Sequence, residues 1–187
     1  MAKTDVDKRS RLIQTAAKLA YRQGFRKTTL ADIAEESQVP LGNVYYYFKT
    51  KDEIGEAILQ QRFSQFEAQR EKWEESGSPK ERLQAFVQMT LNNREQLARG
   101  GCPIGTLCSE LQREGGELAK KASPLLGGTL AWIEKQFKAL GKGKDSAGLA
   151  LHLLSALQGV SLLSHVSGNS NLVMVEAGRL KAWLETL

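Results

Sequence analysis

The sequence predicts an all-α protein of eight or nine helices: three short helices form an N-terminal head, and the rest form a larger helical body. Three observations predict it. Apolar residues recur at helical spacing nearly throughout, as in Leu12, Ile13, Ala16, Ala17, Leu19 and Ala20. Start and stop signals bracket these runs, with Thr29 and Asp32, Pro40, and Ser78-Pro79 at starts and Gly24 and Gly100-Gly101 at ends. No segment alternates like a convincing strand, and no repeat or low-complexity stretch appears. A chain of 187 residues can bury one sizeable core or a small and a larger one. The expected division is 1–51 and 52–187.

The first helix is expected over Asp7–Gln23, with Gly24 as its stop. Thr29 opens the second, since Asp32 three residues on completes a capping-box pair. Gln38-Val39-Pro40 makes the turn, because proline cannot continue a helix but fits the start of the next. A two-turn helix follows over Leu41–Phe48, with Val44 and Phe48 inward. Thr50 and Glu53 form a second box opening a helix to about Trp73. Ser78, Pro79 and Glu81 fit the start of a helix that runs until Gly100-Gly101. A short helix over Pro103–Arg113 precedes a longer one to Leu140, kinked or delayed by Pro124. Helices over Asp145–Val166 and Leu172–Thr186 complete the pattern.

The net charge of +5 is uneven. Residues 1–51 hold ten bases (Lys3, Lys8, Arg9, Arg11, Lys18, Arg22, Arg26, Lys27, Lys49, Lys51) against Asp5, Asp7, Asp32, Glu35 and Glu36. The remaining bases and acids balance, so the whole excess lies in the head, as suits a polyanion partner. No apolar block follows Lys8, Arg9 and Arg11, and the apolar run in Leu149–Val166 is broken by His152, Ser155, Gln158, Ser161, Ser164 and His165. That reads as too polar to span a membrane, and the expected compartment is the cytoplasm. Two cysteines without a CxxC or a His/Cys cluster give no zinc site or disulfide framework, and no metal or cofactor is expected. Without GxSxG, P-loop or HExxH, the chain does not read as an enzyme.

The second and third helices, joined by a tight turn, have the form that places a helix in the DNA major groove. Tyr45, Tyr46 and Tyr47 occupy successive faces of a short helix and cannot all be buried. Their hydroxyls suit phosphates, a ring suits a thymine methyl, and at least one is expected to pack inward. Asn43 offers a donor and an acceptor to a base edge, or a local cap. Gly42 permits close backbone approach, and Leu41 covers the turn or meets a thymine methyl. Thr29 caps its helix and can also bond a phosphate, while Lys49 and Lys51 follow the short helix, Lys51 at the start of the fourth, whose dipole favours an anion.

Gly24-Phe25, Thr28-Thr29, Ile33-Ala34, Val39 and Gly42-Asn43-Val44-Tyr45-Tyr46-Tyr47-Phe48-Lys49-Thr50-Lys51 together resemble the TetR family of bacterial repressors. The family's usual run has serine, threonine and leucine where this chain has Pro40, Asn43 and Val44. The resemblance covers roughly the first quarter of the chain. It implies phosphate contacts from Tyr45 and Tyr47, a backbone clamp by the lysines, a palindromic operator, and a homodimer through the last two helices (about 145–166 and 172–186). Stripes of Leu149, Leu153, Ala156, Val160 and Leu163, and of Leu180, Leu184 and Leu187, with small Ala156 and Gly159, fit that interface or the core. The resemblance also implies an inducer pocket in the body, for which Phe63, Phe66, Met89, Leu107, Trp132 and His152 are the candidates. Cys102 is expected at a helix N-terminus, where the dipole favours thiolate. It is therefore either a packed residue or a redox- or electrophile-sensing thiol. A thiol-switched repressor and an architectural DNA binder without a ligand are the alternatives to an inducer-released repressor.

Overall fold

The computed structural model describes residues 3–187, without the side chains of residues 3–6 and 76; the charges of Lys3 and Asp5 thus lie outside the described side chains. The order is α1 (Lys3–Gln23), α2 (Leu30–Ser37), α3 (Leu41–Tyr47), α4 (Lys51–Ser76), α5 (Pro79–Asn92), α6 (Arg94–Gly100), α7 (Pro103–Glu114), α8 (Gly116–Ala139), α9 (Ser146–Ser167) and α10 (Asn171–Glu185). A 3-10 turn at Gly143–Asp145 precedes α9, and no strand forms among the described residues. Only Asn93 separates α5 from α6, so counting that pair as one interrupted rod gives the nine expected. The break has a local cause: the Asn93 amide donates to the Met89 carbonyl at 2.7 Å, competing with the helical ladder. Pro124 does not delay the helix but lies inside α8. The carbonyl that loses its helical donor there is that of Lys120, an exposed residue.

The caps form as the sequence implies at two of three places. Thr29 with Asp32 and Ser78 with Glu81 are reciprocal boxes. At α4 only half forms: Thr50 accepts from the Glu53 N–H at 3.2 Å, while the Glu53 carboxylate reaches past it to the Lys49 N–H at 2.7 Å. The Thr29 backbone N–H and then its hydroxyl hold Asp32 below the usual carboxylate range, and Ser78 does the same to Glu81. A depressed carboxylate contributes stability above its unfolded pKa, which is lost as pH falls through the folded value. The melting temperature is therefore expected to fall between about pH 5 and about pH 3, and to fall less in an Asp32→Asn/Glu81→Gln double variant. An equal fall in both would show that the boxes do not set the acid limb.

The chain forms two compact units. One takes the described part of Met1–Gln65 together with Thr106–Leu125. Here α1 packs on α2 and α2 on α3, and Leu12, Leu19, Phe25, Ile33, Val44, Phe48 and Ile54 are buried. The other takes Phe66–Gly105 and Leu126–Leu187, where α10 packs on α5 and α9, and α6 on α9. Its core holds Leu83, Phe86, Val87, Ile133, Phe137, Leu153, Leu157 and Leu180.

The C-terminal helices correct the expected stripes. Leu153, Val160, Leu180 and Leu184 are buried, and Leu149, Ala156 and Leu187 pack against that core. Of the expected interface residues only Leu163 is bare among the leucines and valines, and it lies with Leu151, Leu162 and Val166 on α9 and Met174 and Val175 on α10. The cause is that α9 is apolar on more than one face, so periodicity alone cannot say which face the core takes. Gly148, Gly159 and Gly178 are exposed, and a Cβ at each would meet nothing within 4 Å. The segment Gly143–Ser167 is also long and apolar enough by composition to cross a membrane, contrary to the sequence expectation. Two of its interrupting hydroxyls bond carbonyls, Ser161 to Leu157 and Ser164 to Asn169.

Candidate nucleic-acid interface

The candidate interface is built by the α2–turn–α3 segment. Gln38 ends α2 in the left-handed region (φ 55°), the only non-glycine described residue with positive φ. Its N–H returns to Ala34 and Glu35, and Val39, buried, returns to Ala34 at 3.1 Å. Pro40 then starts α3 with its fixed φ of −51°. A local backbone device thus sets the angle between the helices.

On α3, Val44 and then Phe48 just past its end point into the core, fully or almost fully buried. The opposite face carries Leu41, Gly42, Asn43, Tyr45 and Tyr46, all exposed, with Tyr46 at 70%. Tyr47 is the inward tyrosine: it is half-buried, with its ring edge-on to Tyr46 at 5.1 Å. Among the described residues, nothing beyond its own helical turn and chain neighbours lies within 4 Å of a Cβ built on Gly42. Its own fold therefore supplies no steric reason for glycine there. The Arg9 guanidinium covers the Phe48 ring at 5.2 Å. Beneath this end of α3 lies a groove of about 780 Å³, lined among others by Arg9, Tyr47, Phe48, Phe63, Lys121 and Leu125.

The cationic rim is held in place by the chain itself. The Lys49 ammonium donates to the Tyr45 carbonyl at 2.8 Å. That of Lys51 donates to the Arg26 carbonyl at 2.7 Å and lies 4.8 Å over the Phe25 ring. Each carries three N–H groups, so both are oriented without being exhausted. Thr29 accepts from the Asp32 N–H at 3.1 Å, and its hydroxyl also stands against the Asp32 carboxylate, so a phosphate here would draw on a group the capping box already uses.

The six pocket candidates divide between the two units. Phe63 flanks the groove and Leu107 is buried, both in the first unit. In the second unit Phe66 and Trp132 meet at 6.4 Å, and Met89 packs on the same core. His152 is exposed, edge-on to Trp183 at 4.8 Å. The sequence reading missed Trp73 and Phe86, which complete the aromatic cluster at 5.5 Å and 6.0 Å from Trp132. Phe66 and Trp73, seven apart on α4, were the available signal. Glu74 accepts from the Trp132 indole N–H at 2.9 Å and fixes that ring.

Cys102 precedes α7 as expected. Its sulfur accepts from the Gly105 N–H at 3.3 Å and the Gln158 amide at 3.4 Å. Gly105 must be small, since a Cβ there would lie 2.5 Å from Gln158 Oε1. Cys108 is buried and donates to the Ala122 carbonyl at 3.4 Å.

Comparison with known proteins bears on the same segment. The family described as bacterial regulatory proteins, tetR family, matches residues 12–58. The HTH-type transcriptional repressor NemR of Escherichia coli is 29% identical over 113 residues, 59% of this chain and 55% of that protein. The HTH-type transcriptional repressor DhaR of a Mycobacterium species is 30% identical over 113 residues, 59% and 54%. The match thus spans about half the length of these relatives. Among solved structures, a TetR transcriptional regulator from Chloroflexus aurantiacus aligns with a TM-score of 0.84 at 17% identity, over 98% of this chain and 97% of that one. The reduced form of E. coli NemR aligns with 0.78 at 20%, over 94% and 96%. These likenesses show the fold along nearly the whole chain. Residues 12–58 thus match the tetR family of bacterial regulatory proteins, on a fold that the solved TetR-type structures share.

Proposed function

We propose that this protein is a cytoplasmic, homodimeric transcriptional repressor that binds a palindromic operator and is released by a small-molecule inducer. The carrying observation is the outer face of α3, where Leu41, Gly42, Asn43, Tyr45 and Tyr46 stand exposed on a helix whose inner side is locked by Val44 and Phe48. Thr29, Tyr47, Lys49 and Lys51 flank it as phosphate donors, and Asn43 reads a base edge. The repressors NemR and DhaR support the reading by likeness. Residues 1–51 form the reader head and 52–187 the regulatory body.

One two-turn helix covers a few base pairs, so specificity calls for two half-sites. The bare apolar residues of α9 and α10, interspersed with Gly148, Gly159 and Gly178, suit a second copy packed closely against them. The inducer region is the aromatic cluster of Phe66, Trp73, Phe86 and Trp132. An inducer must bind the DNA-incompetent state more tightly, and about 1.4 kcal/mol of difference releases tenfold.

The test is selection of genomic duplexes by the purified protein, including the region beside its own gene. A palindrome bound with steep salt dependence supports the operator-reading role. No preference at low salt would leave an architectural binder. Gly42→Ala sharpens the test. It is expected to raise or preserve thermal stability, since alanine favours a helix by about 1 kcal/mol over glycine, while weakening operator binding at least tenfold. Unchanged affinity would remove Gly42 from the interface.

A thiol-switched repressor is the second reading. It is favoured by the two donors converging on the half-buried Cys102 sulfur from Gly105 and Gln158. N-ethylmaleimide should then release operator DNA from the wild type and not from Cys102→Ser. Release from both would end it.

A further inference from the structure

The turn leaving α1 is gripped by two other helices of the same unit. Gly24 lies in the left-handed region (φ 91°), and the two N–H groups that follow it point the same way, as in a backbone nest. The Glu110 carboxylate of α7 takes both: Oε2 accepts from Phe25 and Oε1 from Arg26, each at 2.8 Å. A Cβ on Gly24 would come within 3.1 Å of Glu110 Oε1, so glycine is required there for room as well as for φ. From α4, the Lys51 ammonium holds the Arg26 carbonyl and covers the Phe25 ring. The Phe25 ring presses on Gly55 of α4, where a Cβ would lie 2.8 Å from Cζ and 3.0 Å from Leu118 of α8. Phe25 is therefore a ball in a socket that only glycine leaves open.

The grip lies directly upstream of the reader helices. Thr28, buried, donates from its hydroxyl to the Gly24 carbonyl at 2.8 Å, and Thr29 caps α2. A displacement of the turn thus passes to the α2 start within three or four residues, and through Val39 to α3.

We infer that Glu110 is the positioning residue through which α7 sets the attitude of α2 and α3. Movement of α7 reaches the recognition helix through this carboxylate and Phe25, in parallel with the covalent link through α4. The inference rests on the DNA-regulator reading for its purpose, but its geometry does not involve DNA.

Glu110→Gln separates it from a purely structural role. The amide offers one acceptor oxygen and sets an NH2 group against the other backbone N–H. Exchange of the Phe25 and Arg26 amides is expected to rise about tenfold, the factor that 1.4 kcal/mol represents. Protection within α2 should persist, showing a folded head. The decisive readout is the distance between nitroxides at positions 35 and 117, both exposed and in this unit, measured in dimers diluted with unlabelled chain. Wild type is expected to give one narrow distance, and Glu110→Gln a broadened or displaced one. Gly55→Ala, which pushes the Phe25 ring from the other side, should displace it too. An unchanged narrow distance in Glu110→Gln, even with a lowered melting temperature, would overturn the inference. Since no duplex is present, a failed operator selection would leave this result standing.

Discussion

Leu163→Glu is expected to yield a folded monomer that has lost specific DNA binding. Leu163 is 62% exposed on α9, so its replacement opens no cavity in the protomer. Its neighbours on that face are Leu162, Val166 and bare glycines. In a two-fold interface the substitution places a carboxylate on each side of a close-packed apolar contact, unpaired and short of water. Without the dimer each head binds one half-site alone, which forfeits an avidity of about 10² to 10⁴. Sedimentation gives the mass, circular dichroism the helicity, and a titration with the selected operator the affinity. A dimer of undiminished affinity would move the interface elsewhere. Lys181→Glu, on the inner side of α10 where the lysine bonds Gln88, is the control that changes charge without touching the bare face.

Phe48→Ala should cost about 3 to 5 kcal/mol, the range for deleting a buried aromatic ring. Phe48 is 2% exposed, follows the last turn of α3, and carries the Arg9 guanidinium on its face. The ring therefore joins α3 to α1 both through packing and through a cation–π contact. Against a typical domain stability of about 5 to 15 kcal/mol, the loss is a large share. Urea unfolding should show a lower midpoint, and Phe48→Leu should recover most of the loss. A shift below about 1 kcal/mol would mean that the site collapses around the vacancy.

The head was legible because its instructions are local. Thr29 with Asp32 writes its cap within four residues, as Ser78 with Glu81 does in the body, and Pro40 marks the α3 start without reference to any distant residue. Val44 and Phe48 declare the inner face by spacing alone, which leaves the outer one for a partner. Legibility failed where one helix is apolar on several sides. On α9 the repeat fitted Leu153 and Val160 to an outside contact or to the core alike, and the core holds them. It failed again where meaning depends on meeting. Phe66 and Trp132 were each visible, but their convergence with Trp73 and Phe86 is a property of packing between α4, α5 and α8. Glu110 reads as one more acid on a helix until it is found 85 residues from the N–H it holds.

That same grip limits how far the reader can be moved between proteins. A chimera carrying only residues 12–58 on a foreign body would keep α2, α3 and their turn, yet would leave behind Glu110 and Leu118. Phe25 would meet whatever the recipient offers opposite Gly55, and two backbone N–H groups would face a helix with no acceptor assigned to them. Operator preference would transfer with α3, while the resting pose of that helix would be inherited from the recipient. Exchanging heads in such regulators is therefore a matter of matching a seam, and the graft that carries residues 106–125 along with the head is the one expected to keep its original affinity.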